Sequence, residues 1–414
     1  MLTQRRPAIM EASIKDGIVY SPNLVCEIPE CSLFTFFKNN MEAYGAKTAL
    51  AVFLTDRVEG YVSLLDFVGL PCADVEALSP SNTREATAAI GYTSGSTGSP
   101  KGVVITHYSF IASICTFRAT EAVNDKDVAI IPRHLTLISS PRTALTYLCL
   151  GLTTVIGQPE KPVEWLISVF DQYKVSFIIA SPQLLHQLAH CALRNDAPVP
   201  SLRKVASIGY CLHASIRDAV QRAFTLTWLR PCYGLTEACG VVAGFFDGQL
   251  TSGVLGYPGP MVQMKVLDLE SNEPLPPRRL GEIVVKLPCV MKCYLNKPRE
   301  TAEVLDKEGW LRTGDLGYYD ERGQFYLVER LKNLVKCGGT HVATTELEEA
   351  LLDFSGVLDA AVVGRPHAVY GESPVAAVVL KNSADATAEE ARRLQEIIAG
   401  ITNGSSEPPT PKYI

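Results

Sequence analysis

The sequence predicts an α/β protein, with a large N-terminal domain of parallel α/β sheet plus a small β-barrel, followed by a small α+β C-terminal domain. Three changes of pattern along the chain lead to that expectation. Across residues 100–240 apolar runs of strand length alternate with amphipathic segments, the signature of a parallel sheet covered by helices. Across residues 241–326 short apolar runs such as Ile283-Val284-Val285 are punctuated by Pro258-Gly259-Pro260 and Pro276-Pro277, which fits a small barrel. After Arg330 helical and strand patterns resume on a shorter scale. A chain of 414 residues, 47% hydrophobic and 20% charged, suits two or three domains with a large core.

Residues 86–92 are small and apolar and read as a strand delivering the chain into Gly91-Tyr92-Thr93-Ser94-Gly95-Ser96-Thr97-Gly98-Ser99-Pro100-Lys101-Gly102. In that segment five serine or threonine hydroxyls and four glycines surround one lysine. Glycines bring backbone N–H groups close to an anion, hydroxyls add donors and the lysine adds charge, so the segment reads as a phosphate-binding loop. It is not a Walker A loop, because Pro100 precedes Lys101 and Gly102 follows it. A Gly/Ser linker is the alternative, and linkers rarely lie between apolar runs such as this one and Val103-Val104-Ile105.

His107 starts or packs the next helix. Residues 144–156 are mostly apolar but broken by threonines and Tyr147, too short to span a bilayer, and read as a buried element. Residues 175–180 form a strand; Ser181-Pro182 then opens a helix with Leu184, Leu185, Leu188 and Ala189 on one face. Past Arg330, Thr345-Glu346-Leu347-Glu348 matches a capping box for a helix whose stripe is Leu347, Leu351 and Leu352. Strands follow at 360–363 and 375–380, then a helix capped at Thr387, and a disordered tail rich in serine and proline over 402–414.

A net charge of −6 lacks the basic balance that nucleic-acid binding requires. Arg5 and Arg6 are followed by Glu11, Lys15 and Asp16 with no apolar stretch, which argues against a secretion signal. The twelve cysteines are scattered without C-x-x-C pairs and read as reduced thiols packed as small hydrophobes.

Four motifs in order resemble the adenylate-forming, or AMP-binding, superfamily, in its acyl-CoA synthetase, coumarate-CoA ligase and luciferase-like branch. They are the loop at 91–102, Tyr233-Gly234-Leu235-Thr236-Glu237, Gly309-Trp310-Leu311-Arg312-Thr313-Gly314-Asp315-Leu316-Gly317, and Glu329-Arg330-Leu331-Lys332-Asn333-Leu334-Val335-Lys336. The similarity runs from about Ile90 to Leu380, and residues 18–50 are similar to the family's opening. It implies an AMP-binding domain over 1–331 (α/β core 91–240, barrel-like part 241–330), a partial lid domain over 332–401 and the tail.

The resemblance also implies a ligand set of ATP, Mg²⁺ and coenzyme A as co-substrate, together with a carboxylic acid. Thr93, Ser94, Gly95, Ser96, Thr97, Gly98 and Lys101 would grip the β and γ phosphates. Tyr233 would stack on adenine beside Gly234, and Thr236, Glu237 and Thr97 would place the metal ion. Asp315 would accept both ribose hydroxyls, Arg330 would approach sugar and phosphate, Lys332 would be the hinge between domains, and Lys336 would serve the second half-reaction. By residue type alone each has a structural alternative: a turn tyrosine, a capping threonine, a surface aspartate. His134 is a candidate remnant of an acyl-pocket histidine.

The chain departs from the family in three places. Residues 51–90 are all that separate Leu50 from the loop, a shortfall of roughly one small domain. Ala206-Ser207-Ile208-Gly209-Tyr210 stands where the family has a small-residue acyl-pocket segment, so bulk is expected near the substrate. The C-terminal lysine motif is missing, since Lys412 lacks its flanking residues; one such contact is worth about 10²–10³ in rate, so adenylation is expected to be slow. The expected activity is ATP-dependent acid–thiol ligation, in full or weakened form. The alternatives are a luciferase-like oxygenase sharing the adenylation step and a nucleotide-binding pseudoenzyme without turnover. The ending Lys412-Tyr413-Ile414 is not a Ser-Lys-Leu signal, so the cytoplasm is the expected location, with peroxisomal association left open by the resemblance.

Overall fold

Six short strands, nearly all apolar, run parallel through the larger part of the molecule. In sheet order they are Leu50–Val52, Thr153–Ile156, Val128–Ile131, Phe177–Ala180, Lys204–Ile208 and Trp228–Leu235. This is a computed structural model, and it describes residues 12–22, 25–43, 50–52, 80–93, 100–134, 137–158, 160–195, 199–209, 212–244, 253–337, 340–352, 354, 356–369, 371–382, 392 and 394–395. Strands covered by helices on both faces carry no polar alternation, which is why Phe177-Ile178-Ile179-Ala180 reads as a continuous apolar run. Helices Val163–Tyr173, Pro182–Arg194 and Ala214–Ala223 contribute Phe170, Leu185, Leu188 and Val220 to one face's core. Helix Ser139–Cys149 contributes Tyr147 to the other, against Phe177.

Local signals start these helices. Ser181 Oγ accepts the Leu184 N–H at 3.4 Å and Pro182 occupies the first turn, where its missing donor costs nothing. Thr106 caps His107–Arg118 in the same way, through the Ser109 N–H. His107 opens that helix and its Nδ1 accepts the Leu33 N–H at 3.0 Å.

At Gly240–Gly244 the sheet turns antiparallel. It continues through Val254–Pro258, Phe325–Arg330, Leu311–Tyr319, Gly281–Lys286 and Gln263–Leu267 to an N-terminal hairpin, Ile18–Tyr20 with Ser13–Lys15. The expected α/β class, a large sheet with smaller ones beside it, is borne out; the strands expected to form a small β-barrel continue the large sheet. The α+β unit is a four-stranded sheet, in order Thr340–Val342, Val335–Cys337, Gly371–Leu380 and Val357–His367, against helix Thr344–Leu352.

That last helix corrects one expectation. Its first residue is Thr344, so Thr345 lies inside the first turn and donates its hydroxyl to Val328 O at 2.7 Å. The acceptor for the helix N-terminus comes from strand Phe325–Arg330: buried Glu329 accepts the Thr345 N–H at 3.1 Å and the Thr344 hydroxyl at 2.6 Å. A carboxylate at a helix N-terminus meets both unpaired N–H groups and the positive end of the dipole. Of the helix expected after Thr387, Arg392, Leu394 and Gln395 are described and are helical, with Leu394 buried in the core of the small unit; the rest of that segment and the tail at 402–414 lie outside the described residues.

No helix among the described residues is long and apolar enough to cross a membrane.

Candidate active site

Strand Trp228–Leu235 carries Tyr233 and Gly234 to the end of the parallel sheet, where a bulge between them shifts the pairing with Gly240–Gly244. Glycine is required at 234: a Cβ there would lie 2.3 Å from Gly240 O. A short 3₁₀ turn, Thr236–Ala238, then presents Glu237.

The antiparallel pair Leu311–Tyr319 and Phe325–Arg330 places Asp315 directly opposite Arg330. Thr313 braces the approach, donating its hydroxyl to Ile283 O at 2.7 Å and accepting the Asp315 N–H at 3.1 Å. Gly314 takes a positive φ of 70° and its N–H is accepted by Glu282 Oε1 at 3.2 Å, while Arg312 pairs with the other Glu282 oxygen.

Residues 82 positions apart in sequence therefore meet. Tyr233 donates its hydroxyl to Asp315 Oδ2 at 2.5 Å, and Arg330 Nε lies 2.7 Å from Oδ1. The arginine pairs by charge alone: no donor among the described residues meets Oδ1 with hydrogen-bond geometry, although Asp315 is only 1% exposed. Burial pushes the Asp315 carboxyl above its ordinary value, and the Arg330 charge and the Tyr233 hydrogen bond offset this only in part. The Tyr233 hydroxyl is held well above an ordinary phenol by burial and then by the Asp315 charge.

Glu237 forms a second node. Its Oε1 accepts the Tyr294 hydroxyl at 2.7 Å, and burial followed by the Glu237 charge raises the Tyr294 phenol. Lys101, expected on the loop, lies instead in strand Lys101–Thr106 with 6% of its surface exposed, its Nζ 4.9 Å from the Tyr294 ring centre. Thr93 pairs with Lys101 across an antiparallel ladder, so the segment expected to bind phosphate connects two paired strands. Ser94, Gly95, Ser96, Thr97 and Gly98 lie outside the described residues, as does Tyr210.

Lys332 and Lys336 are exposed, and among the described residues neither bonds to either node; Lys332 sits on the 3₁₀ turn Leu331–Asn333. Beside it Glu329 also accepts the Arg330 N–H at 2.7 Å and Asn333 Nδ2 at 3.1 Å, so one carboxylate ties the junction to the following helix. His134 is half exposed, with Nδ1 3.3 Å from Glu160 Oε1, and does not line the cavity under helix Ser139–Cys149, whereas Ala206 and Ile208 do. Sequence reasoning gave no role to Tyr294, which acts on a residue 57 positions away, or to Glu329, whose tie to Thr344 and Thr345 appears only in the folded chain.

The residues present fit a nucleotide and a metal ion. Oδ1 of Asp315 is a buried acceptor without a hydrogen-bond donor, as a ribose hydroxyl requires. Glu237 keeps a second oxygen beyond its bond to Tyr294, and Mg²⁺ takes one or two carboxylates with its remaining sites on phosphate and water. Among the described residues no cluster of three metal-ligating side chains occurs.

The model of AMP-binding enzymes matches residues 41–295, and that of the AMP-binding enzyme C-terminal domain matches residues 346–412. The chain belongs to the AMP-binding enzyme family. Among curated relatives of this family, luciferin 4-monooxygenase of Nipponoluciola cruciata is 36% identical over 312 residues, 74% of this chain and 56% of the relative. 4-Coumarate–CoA ligase 2 of Nicotiana tabacum is 35% identical over 316 residues, 73% of this chain and 58% of the relative. The chain thus spans less than two thirds of the length of these AMP-binding relatives. Among solved structures, ATP-bound MatB from Rhodopseudomonas palustris superposes with a TM-score of 0.68 at 26% identity, covering 79% of this chain and 62% of that one. MenE from Bacillus subtilis in complex with AMP gives 0.66 at 27% identity, covering 75% and 63%.

Proposed function

We propose that this AMP-binding enzyme joins a carboxylic acid to ATP as an acyl-adenylate and passes the acyl group to the thiol of coenzyme A. The observation that carries the reading is the Tyr233–Asp315–Arg330 node beside Glu237: a buried, cation-paired carboxylate with one free acceptor next to a second carboxylate. In the first step a carboxylate oxygen bonds to the α-phosphorus, the bond from that phosphorus to the bridging oxygen breaks, and pyrophosphate leaves with the electron pair. In the second a thiolate attacks the acyl carbon and AMP departs.

Neither step needs a covalent intermediate on the protein, so the side chains contribute alignment and charge. Asp315 would hold the ribose by its open oxygen, and Arg330 would keep Asp315 ionised while facing the phosphate. Glu237, positioned by Tyr294, would bind the metal ion with Thr97 and Thr236 nearby, and Lys101 would supply fixed positive charge to the outer phosphates. A magnesium ion held there by Glu237 would supply positive charge against the phosphate oxygens. Lys332 and Lys336, on the surface at the junction, suit a role in the second step, when the small domain has moved.

Identity with luciferin 4-monooxygenases favours a second reading, in which oxygen rather than a thiol meets the adenylate. ATP–pyrophosphate exchange with a panel of carboxylic acids tests the common step. Thioester formed on adding coenzyme A supports ligation; oxygen consumption linked to AMP release supports the second reading. Nucleotide binding without exchange for any acid would overturn both.

A further inference from the structure

A small cavity of about 60 Å³ lies between helix Ser139–Cys149 and the parallel sheet and opens toward solvent. Phe117, Ile131, Phe177 and Trp228 make its walls apolar. Into this space the helix places a cation, Arg142, which is 9% exposed. Among the described residues Arg142 has no carboxylate partner, and its one side-chain hydrogen bond is a long one, 3.4 Å from Nη2 to Thr143 Oγ1. Two further polar atoms of the lining residues, Ser140 Oγ and the Tyr147 hydroxyl, are buried and make no hydrogen bond there.

A guanidinium does not lose its charge on burial, and a buried charge without a counter-ion is unfavourable. A buried cation and two buried hydroxyls that line one cavity without an acceptor therefore make a site that an anion completes. Its location says which anion. Arg142 Nη1 lies 3.6 Å from where a Cβ on Gly240 would be, and Gly240 pairs with Leu235, two residues from Tyr233. The cationic end of the cavity thus abuts the strand pair that carries the nucleotide residues.

We propose that the cavity binds a dicarboxylic acid, with Arg142 pairing to the carboxylate that is not activated and Ser140 and Tyr147 donating hydrogen bonds to it. This rests on the acid-activating function proposed above. An acid with a single carboxylate held on Arg142 would have its nucleophile neutralised in the ground state and kept from the α-phosphate. A second carboxylate removes the conflict: one end is anchored on Arg142 and the other is free to react, and an apolar lining suits the carbon chain between them.

Calorimetric titration of the full chain near neutral pH, with and without AMP, compares aliphatic diacids from succinate to suberate with monoacids of equal carbon number. At least one diacid should bind tenfold or more tightly than its matched monoacid. Arg142→Gln should abolish the difference and Arg142→Lys restore part of it. Equal affinity for both acid classes, no acid binding at all, or a preference that survives Arg142→Gln would overturn the proposal. Should the glutamine variant fail to fold, the comparison on the unaltered chain still decides. Because binding is read without turnover, absent pyrophosphate exchange would count against the adenylation step while leaving a diacid preference standing.

Discussion

Replacing Asp315 by asparagine preserves the size of the side chain and removes its charge at the node where three strands' residues meet. The cost to nucleotide binding follows from the contacts. Oδ1 is the acceptor without a hydrogen bond, 2.7 Å from Arg330 Nε, and a ribose hydroxyl donating to it would form one charge-assisted bond, worth about 1.5–3 kcal/mol. Mg-ATP affinity should therefore fall about tenfold to 150-fold by calorimetry. The apo protein should lose little, because burial already disfavours the ionised carboxyl and the partner left behind, Arg330, is half exposed and remains hydrated. The unaltered chain should bind 2′-deoxy- or 3′-deoxy-ATP less tightly than ATP, and the variant should not distinguish them. The pH dependence has a definite sign. A carboxyl whose folded-state pKa is raised contributes stability below its unfolded pKa and loses that contribution as pH rises through the folded value. Acidification should then favour the apo fold at Asp315 while weakening nucleotide binding, starting at a higher pH than for an ordinary aspartate, and the asparagine variant should lack this component. Unchanged ATP affinity in the variant, or retained discrimination against the deoxynucleotides, would refute the ribose assignment.

Three further outcomes are expected. Gly234→Ala would push a methyl into Gly240 O and should lower stability by about 1–3 kcal/mol in urea unfolding; an unchanged midpoint would show that the strand pair relaxes freely. Glu329→Ala removes the acceptor of four donors at the junction and should raise amide exchange in helix Thr344–Leu352 well before global unfolding, so uniform exchange in both chains would contradict its role as the tie. Lys332→Pro fixes one dihedral of the junction and should spare pyrophosphate exchange while suppressing thioester formation; equal loss of both would point to a folding defect instead of a hinge.

The family and the fold class were legible in the sequence because both rest on local chemistry. Glycine spacing, apolar runs and the residue order of four short motifs are properties of contiguous segments, and a segment such as Phe177-Ile178-Ile179-Ala180 commits to a buried strand wherever it packs. The same is true of Ser181-Pro182, which caps its helix with its own atoms. Contacts between distant segments were not legible. Thr345 matched a capping box, yet the true acceptor is Glu329 from the preceding strand, because a buried carboxylate already close by satisfies the helix end better than a hydroxyl in its own turn. Lys101 read as a loop cation and is a buried strand residue beside Tyr294; Tyr294 itself is 57 positions from the Glu237 it orients. Arg142 sat unremarked in a helix until the sheet closed over it and left its charge facing an apolar cavity. Sequence by itself determined which residue types the chain could offer to a nucleotide. Only tertiary structure decided which of them share a low-dielectric space, and there an unpaired charge or acceptor becomes energetically expensive enough to imply a ligand.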